Sequence, residues 1–271
     1  MDFSNNFYEE FINIKTRPPV SADNYDSQWE FLKATSYYHF DNSIEDTRIG
    51  SFINPLYIPL ANFDGNWEED IKKISATAGP MTPYVPNIEL AKLNSNITRR
   101  NYFERNDMER WGYIKKGQPP YVAVNRGKGA NFGLFKKVAD LFHFLEPVNV
   151  RCDIQHPGHA FYYHIDNFGE YLYNQRLDYE RPADADIDQR KIMRFVIFLT
   201  DWEPGHVWMQ GNMTLRWNKG DCFTYPWRDV PHGTANFGHS TRVALNVTGI
   251  LTEKSHIALQ SFPKFVDLDN I

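Results

Sequence analysis

Four residues in the second half of the chain have types and spacing that could do chemistry together: His164, Asp166, His232 and Arg242. His164 and Asp166 are two positions apart, so on a β-strand both side chains point to the same face and can reach one ion. Two imidazoles and one carboxylate can hold Fe(II) while leaving other positions of the metal open. A guanidinium beside such a metal suits an acidic co-substrate, because its planar fork binds both oxygens of a carboxylate. For each histidine taken singly, the alternative is an ordinary surface or hydrogen-bonded side chain.

A series of short apolar segments after Pro147 must position these side chains. Turn residues such as Asn218-Lys219-Gly220 and Asn236-Phe237-Gly238 separate the segments. Strands are predicted over 148–154, 161–166, 192–199, 206–210, 213–217, 222–225 and 242–250. Many short strands at this spacing are typical of an all-β sandwich or barrel, here a jelly roll. The predicted fold is therefore mainly β with flanking helices.

The rest of the chain is predicted to support this core within one domain. The predicted parts are a mixed helical support region over 1–146, the jelly-roll core over 147–251 and a C-terminal extension over 252–271, all within a single domain 1–271. In the first part, residues 66–76 are predicted to form a helix capped by Asn66. Residues 133–146 are predicted to form a second helix, since their apolar side chains recur at helical period. Such an apolar face needs a sheet to pack on.

Composition and charge exclude several classes of protein. Hydrophobic residues make up 42% and aromatic residues 15% of the sequence, which is enough for a large buried core. The net charge of −5 argues against a general nucleic-acid or anionic-membrane binder. No apolar run is long enough to span a membrane, and residues 1–15 lack the pattern of a signal peptide. Cys152 and Cys222 lie in apolar, strand-like contexts, so both are expected to be reduced and buried, as in a cytoplasmic protein.

Taken in chain order, these residues resemble the Fe(II)/2-oxoglutarate-dependent oxygenases. The resemblance rests on Pro157-Gly158, His164-x-Asp166, Phe198-Leu199, Lys219-Gly220-Asp221, Pro231-His232-Gly233 and Arg242. It covers about residues 147–251, and the order of parts is most similar to the prolyl-4-hydroxylase-like group. The resemblance implies a double-stranded β-helix (a cupin-like barrel), with Fe(II) held by His164, Asp166 and His232. It also implies that Arg242 binds the far carboxylate of 2-oxoglutarate, and that the enzyme uses O₂ to hydroxylate an unactivated C–H bond, releasing succinate and CO₂.

One position departs from the pattern of this family. Many relatives have Arg-x-Ser or Arg-x-Thr, whose hydroxyl also binds the co-substrate, whereas this chain has Arg242-Val243-Ala244. Four other polar side chains are candidates for this contact: Tyr162, Gln155, Asn246 and Thr248. Asn246 and Thr248 share a strand face with Arg242, and Tyr162 shares one with His164. Gln155 lies near the place where relatives present a co-substrate hydroxyl. For each of the four, the alternative is a plain polar group of the core or the barrel end.

The primary substrate is predicted only by class, as a small molecule or a peptidyl residue. A long loop over 167–190 directly follows the predicted metal-binding strand and contains Tyr171 and Arg176. Long loops in compact domains are usually functional or disordered, so we expect a lid over a polar substrate, with a solvated surface loop as the alternative. Arg194 opens a core strand and is predicted either to meet an anionic substrate or to pair with a structural acid.

A metal-binding cupin without 2-oxoglutarate chemistry is the alternative function. Residues 220–236, which include His232-x-x-x-Asn236, also resemble the second motif of the cupins. A cupin normally presents two histidines and a glutamate close together in its first motif, where this chain has His164-x-Asp166. The oxygenase interpretation is therefore favoured.

Overall fold

Two β-sheets packed face to face form the framework of the protein. The computed structural model describes residues 57–81, 124–164, 166, 191–211, 213–225 and 232–271. Its strands are β1 Ile58–Asp64, β2 Gly79–Met81, β3 Val124–Lys128, β4 Leu145–Gln155, β5 Ala160–His164, β6 Ile192–Phe198, β7 His206–Gln210, β8 Met213–Thr214, β9 Asp221–Thr224, β10 His232–Asn236, β11 Arg242–Ile250 and β12 Phe265–Asp267. Its helices are α1 Glu68–Ser75, α2 Gly133–Leu141 and α3 Glu253–Gln260.

The strand order is that of a double-stranded β-helix. Within the described residues, the larger sheet has eight strands in the order β12-β1-β9-β6-β11-β4-β3-β2, and the smaller has four in the order β5-β10-β7-β8. Neighbouring strands pair antiparallel, except the parallel edge pair β1 and β12. From β4 to β11 the chain passes repeatedly between the two sheets, which winds them into one barrel. The predicted jelly roll, mainly β with flanking helices, is confirmed.

The central strands of the larger sheet, β9, β6 and β11, are buried on both faces, because helices cover one side and the smaller sheet covers the other. Every residue of β6 is buried. Phe195 and Ile197 point into the core that contains residues of α1, α2 and α3. Val196 and Phe198 point the opposite way, into the core between the sheets, where they join Trp208 of β7. The period-two alternation of a strand thus divides β6 between two cores.

Helix α2 is shorter than the predicted range of 133–146, which is wrong at its C-terminal end. The helix ends at Leu141, and strand β4 already begins at Leu145. His143 adopts a positive φ of 49°, a left-handed conformation that cannot continue a right-handed helix. Leu145 matched the helical apolar period by chance and is 37% exposed in the strand.

Helix α1 lies within the predicted range of 66–76, but its cap differs from the predicted one. The residue at the N-cap is Trp67, which makes no side-chain capping bond. Asn66 lies one residue earlier, and its Oδ1 accepts a hydrogen bond from the backbone N of Glu68 at 3.3 Å. The acidic first turn, Glu68, Glu69 and Asp70, is present and suits the positive end of the helix dipole.

The larger sheet extends beyond residues 147–251 in both directions. Strands β1, β2 and β3 come from the region before residue 147, and β12 comes from the region after 251. The described part of 1–146 therefore contributes strands as well as α1 and α2. Cys152 and Cys222 are free and buried, which confirms that prediction, and burial raises the pKa of both thiols. In the described part of the chain, no helix is long and apolar enough to cross a membrane.

Candidate metal centre

The side chains of His164, Asp166 and His232 converge between the ends of β5 and β10. Antiparallel pairing places His232 directly opposite His164, and their imidazole ring centroids lie 4.4 Å apart. The Nε2 atom of His164 lies 3.7 Å from Oδ1 of Asp166, and the Nε2 atom of His232 lies 3.7 Å from Oδ2. The potential ligand atoms of the three residues all lie within 4.8 Å of one another, and no other group of three or more His, Cys, Asp or Glu among the residues that the structure describes could hold a metal ion. The three predicted ligands are thus brought to one point.

The carboxylate of Asp166 is held as an anion by the groups around it. Its Oδ2 accepts a hydrogen bond from Nη1 of Arg194 at 2.5 Å and another from the hydroxyl of Tyr225 at 2.6 Å. Burial alone would raise the pKa of Asp166, but Arg194, together with the hydrogen bond and charge of His164, holds that pKa well below its usual range. The carboxyl group is therefore ionised at neutral pH and can act as a metal ligand.

Arg194 takes the second of its two predicted roles and pairs with an acid. The arginine is buried, and its Nε donates to Oγ1 of Thr248 at 3.0 Å. Burial would lower the pKa of Arg194, but the charge of Asp166 leaves it above its ordinary value. Arg194 therefore orients the carboxylate of Asp166, and Thr248 in turn holds Arg194.

Arg242 lies elsewhere in the same barrel, at the start of β11. Its side chain is 2% exposed and faces Gln155 across the β11–β4 pair. Its Nη2 donates to Oε1 of Gln155 at 2.5 Å, and Nε2 of Gln155 donates in turn to Oγ1 of Thr234 at 2.9 Å. The guanidinium carbon lies 5.5 Å from the ring centroid of Trp208. One edge of the guanidinium is thus fixed by the protein.

The remaining nitrogens of Arg242 are the clearest sign of a ligand. Nε and Nη1 are buried and have no hydrogen-bond acceptor among the described residues. Burial lowers the pKa of Arg242 to about 10, so the group is still charged at neutral pH. A buried cation with unmatched donors is costly unless an anion meets it. A carboxylate fits this position by both charge and hydrogen bonding.

The remaining predicted site residues are Asn246, Tyr162, Tyr171 and Arg176. Nδ2 of Asn246 donates to Oδ2 of Asp153 at 3.0 Å, so Asn246 lies in a different polar cluster from Arg242. The side chain of Tyr162 lies outside the described residues. Tyr171, Arg176 and the loop over 167–190 lie outside them as well.

Two aromatic residues lie at the candidate metal centre, and one of them, Tyr225, was missed from the sequence. Tyr225 donates to Asp166, and its hydroxyl also lies 3.3 Å from Nε2 of His232. The ring of Trp208 lies parallel to that of His232 at a centroid distance of 6.0 Å. Tyr225 follows Phe223 by two positions at the end of a predicted strand, so strand alternation gave the signal for it.

A polar alternation on β4 was also missed. Arg151, Asp153 and Gln155 alternate with Cys152 and Ile154, which are buried on the helix-facing side. Three polar residues at period two, on a strand whose other face is apolar, indicate a polar interior rather than a solvated edge. That pattern could have been found in the sequence.

Comparisons with known proteins find only distant structural similarities. No protein-family model matches this chain, and no curated protein matches its sequence. A prolyl-4-hydroxylase from Pseudomonas putida is 13% identical, with a TM-score of 0.37, over 75% of this chain and 97% of that chain. A viral collagen prolyl hydroxylase from Paramecium Bursaria Chlorella virus-1, in a 2OG complex, is 10% identical, with a TM-score of 0.36, over 73% and 98%. A Cupin 2 conserved barrel domain protein from Salinispora arenicola is 8% identical, with a TM-score of 0.28, over 51% and 82%. Similarities of this size define no family, so the function is argued from the site.

Proposed function

We propose that this protein is an Fe(II)- and 2-oxoglutarate-dependent oxygenase that hydroxylates an unactivated C–H bond of a small-molecule or peptidyl substrate. One observation carries the proposal. A convergent His, Asp and His group lies in the same barrel as a buried arginine, Arg242, that has two unmatched nitrogens. A cupin without 2-oxoglutarate chemistry would have no need of this buried cation.

The donor set fits the metal and the co-substrate that the proposal requires. His164, Asp166 and His232 would hold Fe(II), and Arg242 would bind the distal carboxylate of 2-oxoglutarate. Bound together, Fe(II) and 2-oxoglutarate supply the activation of O₂, coupled to decarboxylation of the co-substrate to succinate and CO₂.

The other residues of the site position these groups and exclude water. Arg194 and Tyr225 both donate hydrogen bonds to Oδ2 of Asp166, so the carboxylate keeps one orientation and stays ionised. Gln155 fixes the plane of Arg242, and Trp208 covers its face. Water excluded from around Arg242 strengthens its attraction for a carboxylate.

The direct test of the activity is the formation of succinate. The full-length protein is incubated with Fe(II), 2-oxoglutarate and O₂, alone and with a panel of small-molecule and peptide substrates, and succinate is measured. We expect turnover that a true substrate stimulates, and none in the His232→Ala variant, because that variant loses one of the proposed metal ligands. Failure to form succinate under every condition, together with no binding of 2-oxoglutarate, would reject the proposal.

The role of Arg242 is tested separately from that of the metal. Loss of a charge-assisted contact costs roughly 2–4 kcal/mol, or about 30- to 1000-fold in affinity. Arg242→Gln should therefore weaken 2-oxoglutarate binding by that factor while Fe(II) affinity stays the same. The matched control is Arg216→Gln, since Arg216 is exposed and lies over Trp202. Equal 2-oxoglutarate affinity in the two variants would move the anchor to another residue.

A further inference from the structure

A second cluster of charged side chains, Arg126, Arg151 and Asp153, faces the barrel interior at a different position from Arg242. Arg126 of β3 lies opposite Asp153 of β4, and Arg151 is two positions from Asp153, on the same face of β4. Asp153 accepts a hydrogen bond from Nε of Arg126 at 2.7 Å and another from Nδ2 of Asn246 at 3.0 Å. A single carboxylate thus lies between two guanidinium groups and is already bonded to one of them.

Arg151 forms only a long ion pair with this carboxylate, and its Nε donates no hydrogen bond to it. Its Nε is buried and has no hydrogen-bond acceptor in the described part of the chain. The Oδ2 atom of Asp153 lies 3.9 Å away, which is too far for a hydrogen bond. Burial and the positive charges of Arg126 and Arg194 lower the pKa of Arg151 to about 9 and outweigh the opposing effect of Asp153 and Asp166, so the side chain is still charged at neutral pH.

Among the residues that the structure describes, the charges around the barrel interior do not balance. The arginines are Arg126, Arg151, Arg194 and Arg242, and the acids that pair with them are Asp153 and Asp166. Under the proposed function, Fe(II) would add two positive charges and 2-oxoglutarate two negative ones. The excess of positive charge would then remain, and Arg151 is the cation that neither the metal centre nor the co-substrate would neutralise.

The cluster adjoins the metal centre and can be reached from solvent. The guanidinium carbon of Arg126 lies 6.0 Å from the ring centroid of Phe161, whose ring lies 4.7 Å from that of His164. The side chains of Arg126 and Arg151 are 12% and 19% exposed, so a ligand can enter without unfolding the sheet. Arg151 is separated along β4 from Gln155, the partner of Arg242, by about 13 Å at roughly 3.3 Å per residue. The Arg151 and Arg242 positions are therefore distinct subsites.

We propose that Arg151, with Arg126 beside it, binds an oxyanion of the primary substrate, either a carboxylate or a phosphate group. This inference rests on the proposed function and names its substrate class: a small anionic molecule whose charged end lies beside the metal centre. The planar fork of an arginine suits both kinds of oxyanion.

The binding test needs neither metal nor turnover, so its failure is distinguishable from failure of the proposed function. The full-length, metal-free protein is prepared with Arg242→Gln, which removes the first anion subsite. Propionate and methyl phosphate are then titrated into this variant calorimetrically. The same titration is made after adding Arg151→Gln or, as the matched control, Arg216→Gln.

We expect the Arg242→Gln protein to bind at least one of these anions, and the tighter of the two identifies the recognised group. Adding Arg151→Gln should weaken that binding by about tenfold or more, whereas adding Arg216→Gln should leave it unchanged. The proposal is overturned if the Arg151 and Arg216 double variants bind equally, or if neither anion binds the Arg242→Gln protein.

A second readout separates ligand binding from a structural role of Arg151. Without added anion, Arg151→Gln should raise the melting temperature, because it removes a charge that burial and two arginines disfavour. Adding the anion should then no longer raise the melting temperature of the Arg151→Gln variant. A structural arginine would give a lower melting temperature instead, which contradicts the proposal. If Arg151→Gln does not fold, Arg151→Lys keeps the charge and loses the planar fork, and it should weaken anion binding without abolishing it.

Discussion

Asp166 is the residue on which the polar contacts of the candidate metal centre converge. Arg194 and Tyr225 both donate to its Oδ2, and the Nε2 atoms of His164 and His232 lie 3.7 Å from Oδ1 and Oδ2. Groups that hold a ligand in place affect metal affinity nearly as strongly as the ligands themselves. Tyr225 is the member of this set that can be altered with the least disturbance.

Tyr225→Phe should lower Fe(II) affinity by about tenfold, within the range for lost partners of metal ligands. The variant keeps the ring, which lies 4.8 Å from that of His232 and 5.9 Å from that of Phe223, and removes only the hydroxyl. A competition titration with a metal chelator measures the change. Tyr163→Phe is the control, because the Tyr163 hydroxyl bonds the carbonyl of Gly211 instead of a proposed ligand. Equal Fe(II) affinity in both variants would show that the Tyr225 hydrogen bond does not support the site.

The sequence predicted the proposed metal ligands, and Arg194 as a possible partner of an acid, but it identified neither that acid as Asp166 nor Tyr225 as a second partner, for a physical reason. His164 and Asp166 are close in the chain, so strand geometry alone relates them. Tyr225 and Arg194 come from other strands, and their distances to Asp166 follow only once the sheet order is known. The unmatched nitrogens of Arg242 are likewise a property of packing and not of spacing.

At the scale of elements, helix α2 is joined to the larger sheet by aromatic stacking. Phe142, at the end of α2, lies parallel to Phe195 of β6, with ring centroids 4.3 Å apart and an interplanar angle of 2°. Both side chains are completely buried. Phe195 points away from the barrel interior, so this contact supports the sheet from behind the site.

Phe142→Ala should destabilise the protein by about 3–5 kcal/mol, as expected when a buried phenylalanine is replaced by a cavity. The free energy of unfolding in urea measures the loss. Phe237→Ala is the control and should change it by less than about 0.5 kcal/mol, because Phe237 is 74% exposed. A loss below about 1 kcal/mol in Phe142→Ala would mean that α2 contributes little to the stability of the barrel.

The boundaries of strands could be predicted where the period-two alternation of side chains is regular. The prediction failed where that alternation is interrupted. The strands β6 and β11 were found almost to the residue, because β-branched and other apolar residues predominate in both. In β5 a register shift places Phe161 opposite Thr234 and His164 opposite His232. An interruption of this kind breaks the period-two pattern, and nothing local in the sequence marks it.

At the scale of the whole molecule, the net charge of the chain and the charge of its barrel interior have opposite signs. The chain carries −5 overall, yet its barrel encloses more arginines than aspartates among the described residues. Net charge therefore describes the outer surface, which repels polyanions, and not the site. Buried ion pairs of this kind also make the stability of the fold depend on pH.

Asp153 should contribute to acid sensitivity. Burial would raise its pKa, but Arg126 and Arg151 hold the pKa below its ordinary value in the folded protein. The stabilisation is then fully present above the pKa of the unfolded chain, about 3.9, and is lost as the pH falls below that. In urea titrations between about pH 6 and pH 3, the wild type should lose stability more steeply than Asp153→Asn. Identical slopes would show that Asp153 is not linked to unfolding.

The proposed chemistry is tested most directly by adding Fe(II) and 2-oxoglutarate to the protein without O₂. Chelation of Fe(II) by a 2-oxo acid gives a visible charge-transfer absorption, so the measurement detects metal and co-substrate in one site. The wild type should develop this absorption only when both are present. His232→Ala, checked for an unchanged circular dichroism spectrum, should not develop it. An equal absorption in His232→Ala, or none in a wild type shown to bind Fe(II), would contradict the assignment of this barrel as an Fe(II)/2-oxoglutarate oxygenase.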